Sequence, residues 1–233
     1  MTGIKGIVFD KDGTLFDFAT TWEAWAYSFL MRLSGGDAGR AVQIGKTIGF
    51  DLERQKFAND SVVIAGTPDE IAQALHPFYP GLSMDELLII LNDEAEKVPQ
   101  QQAVPLVPLL GGLRSQGLRL GVATNDTEKP ARVHLDQAGV TEFFDFVVGY
   151  DSGFGGKPAP GQLLAFAAHV ALDPADVVMV GDSTHDLHAG RAAGMKTFGV
   201  LTGLAEEAEL SPFADAVFPD IGHLPGWLVA QGG

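Results

Sequence analysis

Six side chains able to do chemistry stand where short apolar runs end. Asp10 and Asp12 follow the run 4–9, Thr124 closes the run 119–124, and Lys157 sits inside Gly155-Gly156-Lys157-Pro158. Asp182 and Asp186 follow the run 177–180. Ligands of open parallel sheets bind at the carboxyl ends of the strands, so these residues are candidates for one site. Carboxylates gathered at such an edge repel one another unless a cation lies among them. Mg²⁺ favours carboxylate, carbonyl and water oxygens and accompanies phosphates. A lysine would neutralise phosphate, and a hydroxyl could hydrogen-bond a phosphoryl oxygen. The residue chemistry points to phosphoryl transfer at a metal–carboxylate site.

Each residue alone has a plainer reading. Asp12-Gly13 is a common turn, Thr124 a β-branched strand residue, and Lys157 a loop lysine. Asp182 can cap the next helix, and Asp186 can face its dipole. His185 and His188 suggest zinc, but no third soft ligand stands nearby. Trp22, Trp25 and Phe29 share one helical face and read as packing. Arg32, Arg40, Lys46, Arg54 and Lys56 read mostly as solvated, with one or two within reach of a substrate carboxylate.

Positioning these groups requires alternating elements. Strands are predicted at 4–9, 119–124, 146–150, 177–180, 196–200 and 216–218. Helices are predicted at 106–116, 128–138, 161–171 and 186–193. Apolar strands alternating with amphipathic helices imply a parallel sheet covered on both faces. Residues 18–98 read as all-helical. A helix is expected at 21–33, a second at 38–48, and the segment 57–64 is ambiguous. Two more helices start at Thr67-Pro68-Asp69-Glu70 and Ser83-Met84-Asp85-Glu86, each a capping box with acids in the first turn. The expected architecture is α/β: a Rossmann-like core, residues 1–16 and 102–233, with an inserted all-helical cap, 17–101. Hinges fall near 15–17 and 98–105.

The 233 residues are 46% hydrophobic, enough for a substantial core and against disorder. The formal charge of −15 disfavours nucleic acid and anionic membrane, so a phosphate site must supply local positive charge. With no cysteine there is neither a disulfide nor a thiolate metal site. The start, Met1 to Gly6, has no signal-peptide pattern, and no run approaches a membrane span; the expected compartment is the cytoplasm.

Asp10-Lys11-Asp12-Gly13-Thr14-Leu15 resembles the first motif of the haloacid-dehalogenase-like superfamily. Thr124-Asn125 resembles the second, Lys157-Pro158 the third, and Gly181-Asp182-Ser183-Thr184-His185-Asp186 the fourth. All four come in the family's order, and the helical insert resembles its small mobile cap. The nearest type is the phosphoglycolate-phosphatase-like group. The resemblance implies that Asp10 attacks phosphorus and becomes an aspartyl-phosphate, while Asp12 serves as acid and then base. It implies Mg²⁺ held by Asp10, the Asp12 carbonyl and Asp182, with Asp186 in support. Thr124, Asn125 and Lys157 would hold the phosphoryl group. An acid at Asp12 favours phosphate esters over carbon–halogen or phosphonate substrates. The implied partner is a small phosphorylated metabolite, acted on by a monomer or homodimer. The rival readings are a sugar phosphomutase and a catalytically weak regulatory protein. Lys11 departs from the family's usual apolar residue; contact with the insert, contact with a substrate anion, and exposure to solvent all fit it.

Overall fold

The computed structural model describes residues 3–58 and 60–231. Met1-Thr2, the last residues of the expected core and Asn59 in the ambiguous segment lie outside them. The main sheet has six parallel strands in the order β5-β4-β1-β6-β7-β8. These are β1 (Gly6–Phe9), β4 (Arg119–Ala123), β5 (Phe146–Val148), β6 (Val177–Gly181), β7 (Lys196–Val200) and β8 (Ala216–Phe218). Ile7, Val8 and Phe9 are fully buried, because β1 is central and covered on both faces. One face packs Leu106, Leu110 and Leu113 of α6 (Leu106–Ser115) on Ile7 and Phe9, with Trp227 of α11 (Leu224–Gln231) in the same cluster. The other carries Leu163 and Phe166 of α8 (Gly161–His169) and Ala189 of α9 (Thr184–Ala192) against Val8 and Met179. The helix α7 (Glu128–Gln137) connects β4 to β5, and the short α10 (Glu207–Leu210) lies between β7 and β8.

Chain order places β1 between β4 and β6, with register Phe9↔Val122 and Phe9↔Val180. The carboxyl ends of three neighbouring strands therefore open side by side, at the point where the strand order reverses.

The insert has its own core, in which Phe29, Leu30, Ile44, Leu75 and Leu87 are buried together. It comprises α1 (Ala24–Leu33), α2 (Ala38–Thr47), α3 (Val62–Ala65), α4 (Pro68–Leu75) and α5 (Met84–Ala95). Both predicted capping boxes form, Thr67 with Glu70 and Ser83 with Glu86. Helix α4 yields to a 3₁₀ turn at His76–Phe78, where Pro77 cannot continue the α-helical ladder. Two details differ from the all-helical expectation. A minimal antiparallel hairpin, β2 (Phe50–Asp51) with β3 (Lys56–Phe57), stands between α2 and α3. The predicted helix at 21–33 opens as a π-helical turn, Ala19–Glu23.

The two crossings into the insert run side by side. Asp17 N–H donates to Gln101 O at 2.8 Å, and Ala103 N–H to Leu15 O at 3.0 Å. Among the described residues, no helix is long and apolar enough to cross a membrane.

Candidate active site

Asp10 follows β1 directly, and its N–H continues the ladder to Val180 O at 2.8 Å. The next turn needs Gly13, whose φ of 78° suits glycine. A Cβ at Gly13 or Gly203 would collide with the Asp182 carboxylate, so these glycines make its cradle. Asp182 follows β6. Ser183 then caps α9 by a reciprocal box with Asp186, whose Oδ2 accepts from Ser183 N–H at 3.0 Å and Oγ at 2.7 Å. Asp186 is thus both the helix-start acid and a member of the carboxylate cluster at the strand ends.

Asp10, Asp182 and Asp186 each offer a carboxylate oxygen within 4.8 Å of the others, and all three are buried. Lys157 Nζ stands 2.6 Å from Asp10 Oδ1 and 2.6 Å from Asp186 Oδ1. Three negative charges against one positive leave two uncompensated. Among the described residues no lysine or arginine pairs with Asp182; the Thr14 hydroxyl donates to it at 3.3 Å. Burial, then Asp186 and Asp10, drive its carboxyl well above the ordinary carboxylate range. Burial likewise pushes Asp10 up to about 7, against the pull of Lys157. Lys157 is raised despite its burial, because Asp10 and Asp186 favour its charged form. Hard oxygen donors whose full ionisation leaves two negative charges uncompensated suit a divalent cation such as Mg²⁺, which would displace the protons that this crowding otherwise retains.

The Asp12 carboxylate turns away from this cluster. Its Oδ1 accepts from Trp22 Nε1 at 2.8 Å, and its Oδ2 lies 2.7 Å from Lys11 Nζ. Burial would raise Asp12, but Lys11 and these hydrogen bonds outweigh it and hold the group low. Lys11 is fully buried, so the solvent placement is excluded. Its ammonium lies 5.7 Å from the Trp22 ring centroid, 3.2 Å from Asp126 Oδ2 and 3.0 Å from His134 Nδ1. His134 Nδ1 accepts from Lys11, while Nε2–H donates to Ala95 O of the insert at 2.8 Å. Burial foremost, then Lys11, lowers His134 from 6.5 to about 4, so the ring is neutral at pH 7.

Thr124 is buried at the end of β4, and its Oγ accepts from Asp126 N–H at 3.1 Å, leaving the hydroxyl proton to donate. Asn125 lines the cavity, yet its amide is engaged. It donates to Ala65 O at 2.7 Å and Lys157 O at 2.9 Å, and accepts from Lys157 N–H at 2.7 Å. It clamps the lysine loop to the insert. The cavity above these groups, about 100 Å³, is roofed by the insert. His185 lines it, whereas His188 packs on Phe213 with centroids 4.3 Å apart; neither joins the carboxylate cluster. Sequence reasoning missed Asp126 and His134. Asp126 stands next to a motif and could have been suspected, but His134, on α7, gives no local signal. Trp22, read as packing, also donates to Asp12.

Residues 4–194 match the family model of haloacid dehalogenase-like hydrolases. A phosphoglycolate phosphatase of Neisseria meningitidis is 32% identical over 227 residues, covering 95% of this chain and 91% of its own length. The probable phosphatase IndB of Dickeya dadantii is 30% identical over 214 residues, covering 92% and 88%. The fold is shared with an HAD phosphatase from Thermococcus onnurineus (TM-score 0.67, 23% identity, 97% and 98% covered). It is shared equally with a β-phosphoglucomutase from Clostridium difficile (TM-score 0.67, 19% identity, 98% and 96% covered). The chain belongs to the haloacid dehalogenase-like hydrolase family. Within that family its activity is that of a phosphatase.

Proposed function

We propose that this phosphatase hydrolyses small phosphomonoesters with Mg²⁺, using Asp10 as nucleophile and Asp12 as acid and base. The observation that carries this reading is the cluster of Asp10, Asp182 and Asp186, with a single ammonium on Asp10 and Asp186 and the Asp12 carboxyl set apart. An Asp10 oxygen attacks phosphorus, and the bond from phosphorus to the leaving oxygen breaks. Asp12, having taken up a proton, delivers it to that oxygen. The aspartyl-phosphate is then opened by water, whose proton returns to Asp12, releasing phosphate and restoring Asp10. Lys157 offsets charge on Asp10 and the phosphoryl oxygens, and the Thr124 hydroxyl donates to one of them.

Asp10 and Asp182 side chains, the Asp12 carbonyl and Asp186 in support would hold Mg²⁺. When bound, it supplies positive charge against the phosphoryl oxygens. The insert, residues 17–101, is assigned the role of a cap over the core of 1–16 and 102–233. Its closure keeps bulk water from the intermediate. The compartment proposed is the cytoplasm, where phosphorylated metabolites are made.

The test is phosphate release from a panel of phosphorylated metabolites, phosphoglycolate included, with Mg²⁺ and with EDTA. The Asp10→Asn protein is the control. Mg²⁺-dependent release that the variant lacks supports the reading. Release by Asp10→Asn at the native rate would remove Asp10 from its role, and isomerised sugar phosphate without free phosphate would make the protein a mutase.

A further inference from the structure

The groups above the phosphoryl site bear on what the ester's alcohol can be. Trp22 donates to Asp12, the residue assigned to protonate the leaving oxygen. Trp22 also lines the cavity, so an alcohol leaving there departs beside its ring. Trp25 meets Trp22 edge to face at 5.2 Å and stacks on Phe29 at 4.5 Å with the rings 12° from parallel. Ile64 and Ile71 of the insert also line the cavity.

Lys157 is the only lysine or arginine among the described lining residues, and it already faces Asp10 and Asp186. The basic residues of the insert are turned elsewhere. Arg32 and Lys97 pair with Glu94, Lys97 at 2.9 Å, Lys56 with Glu23 at 2.5 Å, and Arg54 with Asp51 at 3.8 Å. Arg40 donates to Phe78 O at 3.0 Å, and Lys46 borders a separate depression beside the hairpin. Lys11 is enclosed behind Asp12. A carboxylate or second phosphate on the alcohol would enter a largely apolar space, in a chain of net charge −15, with no further lysine or arginine among the described lining residues to meet it.

We propose that the substrate's alcohol is uncharged and apolar, an aryl or aralkyl group held against Trp22, Trp25 and Phe29. This rests on the phosphatase reading and narrows it. A flat ring fits such a wall by offset or edge-to-face contact. The imidazole of His185 and the amide of Asn92, which also line the cavity, offer polar partners to a hydroxyl on the ring.

The experiment measures phosphate release with Mg²⁺ from benzyl phosphate, phosphoglycolate and glucose 1,6-bisphosphate, with acetyl phosphate testing the phosphoryl site alone. Benzyl phosphate is expected to exceed phosphoglycolate and the bisphosphate in kcat/KM by about tenfold or more, the scale on which an apolar pocket discriminates. Trp25→Ala is expected to shrink the benzyl-to-glycolate ratio by about tenfold, and Trp25→Phe to retain most of it. Ile71→Arg, which places a cation in the cavity, should shift the ratio toward phosphoglycolate, through KM.

Turnover of acetyl phosphate together with equal or better use of phosphoglycolate or the bisphosphate would overturn the substrate class and leave the phosphatase reading intact. An unchanged ratio in both Trp25→Ala and Ile71→Arg would overturn the assigned wall. No release from any compound, acetyl phosphate included, would overturn both readings.

Discussion

His134 makes the stability of this protein depend on pH in a direction that can be worked out. The ring is fully buried between the Lys11 ammonium and Ala95 O, and its value drops from 6.5 in the unfolded chain to about 4 in the folded one. Between those values the unfolded state binds a proton that the native state refuses. Stability from this group is therefore complete above pH 6.5 and is lost as pH falls, levelling off near 4. The drop from 6.5 to about 4 corresponds to about 3 kcal/mol, of which about 2 kcal/mol is lost between about pH 7 and about pH 4.5. His134→Gln isolates the effect. A glutamine can accept from Lys11 and donate to Ala95 O as the neutral ring does, but it takes no proton. Wild type and variant would be unfolded by urea and by heat in EDTA at both pH values. Their difference cancels the carboxylates, which titrate in both. The variant should lose about 2 kcal/mol less than wild type on acidification, worth about 4–8 °C in Tm for a chain of this size. Parallel pH dependence in the two proteins would refute the reasoning, since it would mean that His134 is protonated as easily folded as unfolded.

Asp10→Asn should reduce phosphate release by on the order of 10⁴-fold or more while urea unfolding stays cooperative. Because Asp10 and Asp182 sit high through burial and mutual repulsion, a cation competes with protons for them; raising Mg²⁺ should move the acidic limb of the rate profile to lower pH. A limb insensitive to Mg²⁺ would count against metal binding there. Trp22→Phe removes an indole N–H that helps hold Asp12 low, so Asp12 should titrate higher and the basic limb of the rate profile for alkyl phosphates should move to higher pH, while good leaving groups such as acetyl phosphate are spared. Asn125→Ala breaks the clamp between Ala65 and the lysine loop and should cost about 3 kcal/mol in urea unfolding.

Much of the architecture was legible because its signals are local. Strand β1 is an apolar run ending in Asp10, and the starts of α4 and α5 were written as capping boxes whose partners lie three residues apart. The hairpin at Phe50–Phe57 was not legible, since two-residue strands carry no periodicity. Neither was the π-helical turn before α1, whose residues suit an ordinary helix equally well.

For the proposed site, the sequence alone determined which groups are present: Asp10, Asp12, Thr124, Asp182 and Asp186 just beyond strands, and Lys157 in a glycine-rich loop. Tertiary structure decided what those groups face. Parallel pairing of β1 with β4 and β6 set three strand ends together and brought the lysine loop within 2.6 Å of Asp10. Packing of the insert put Trp22 on Asp12 and, among the described residues, brought no second lysine or arginine to the cavity. It also buried Lys11 against Asp126 and His134, a residue 123 positions away along the chain. Contacts over such separations depend on how whole elements dock, and no spacing along the chain encodes them.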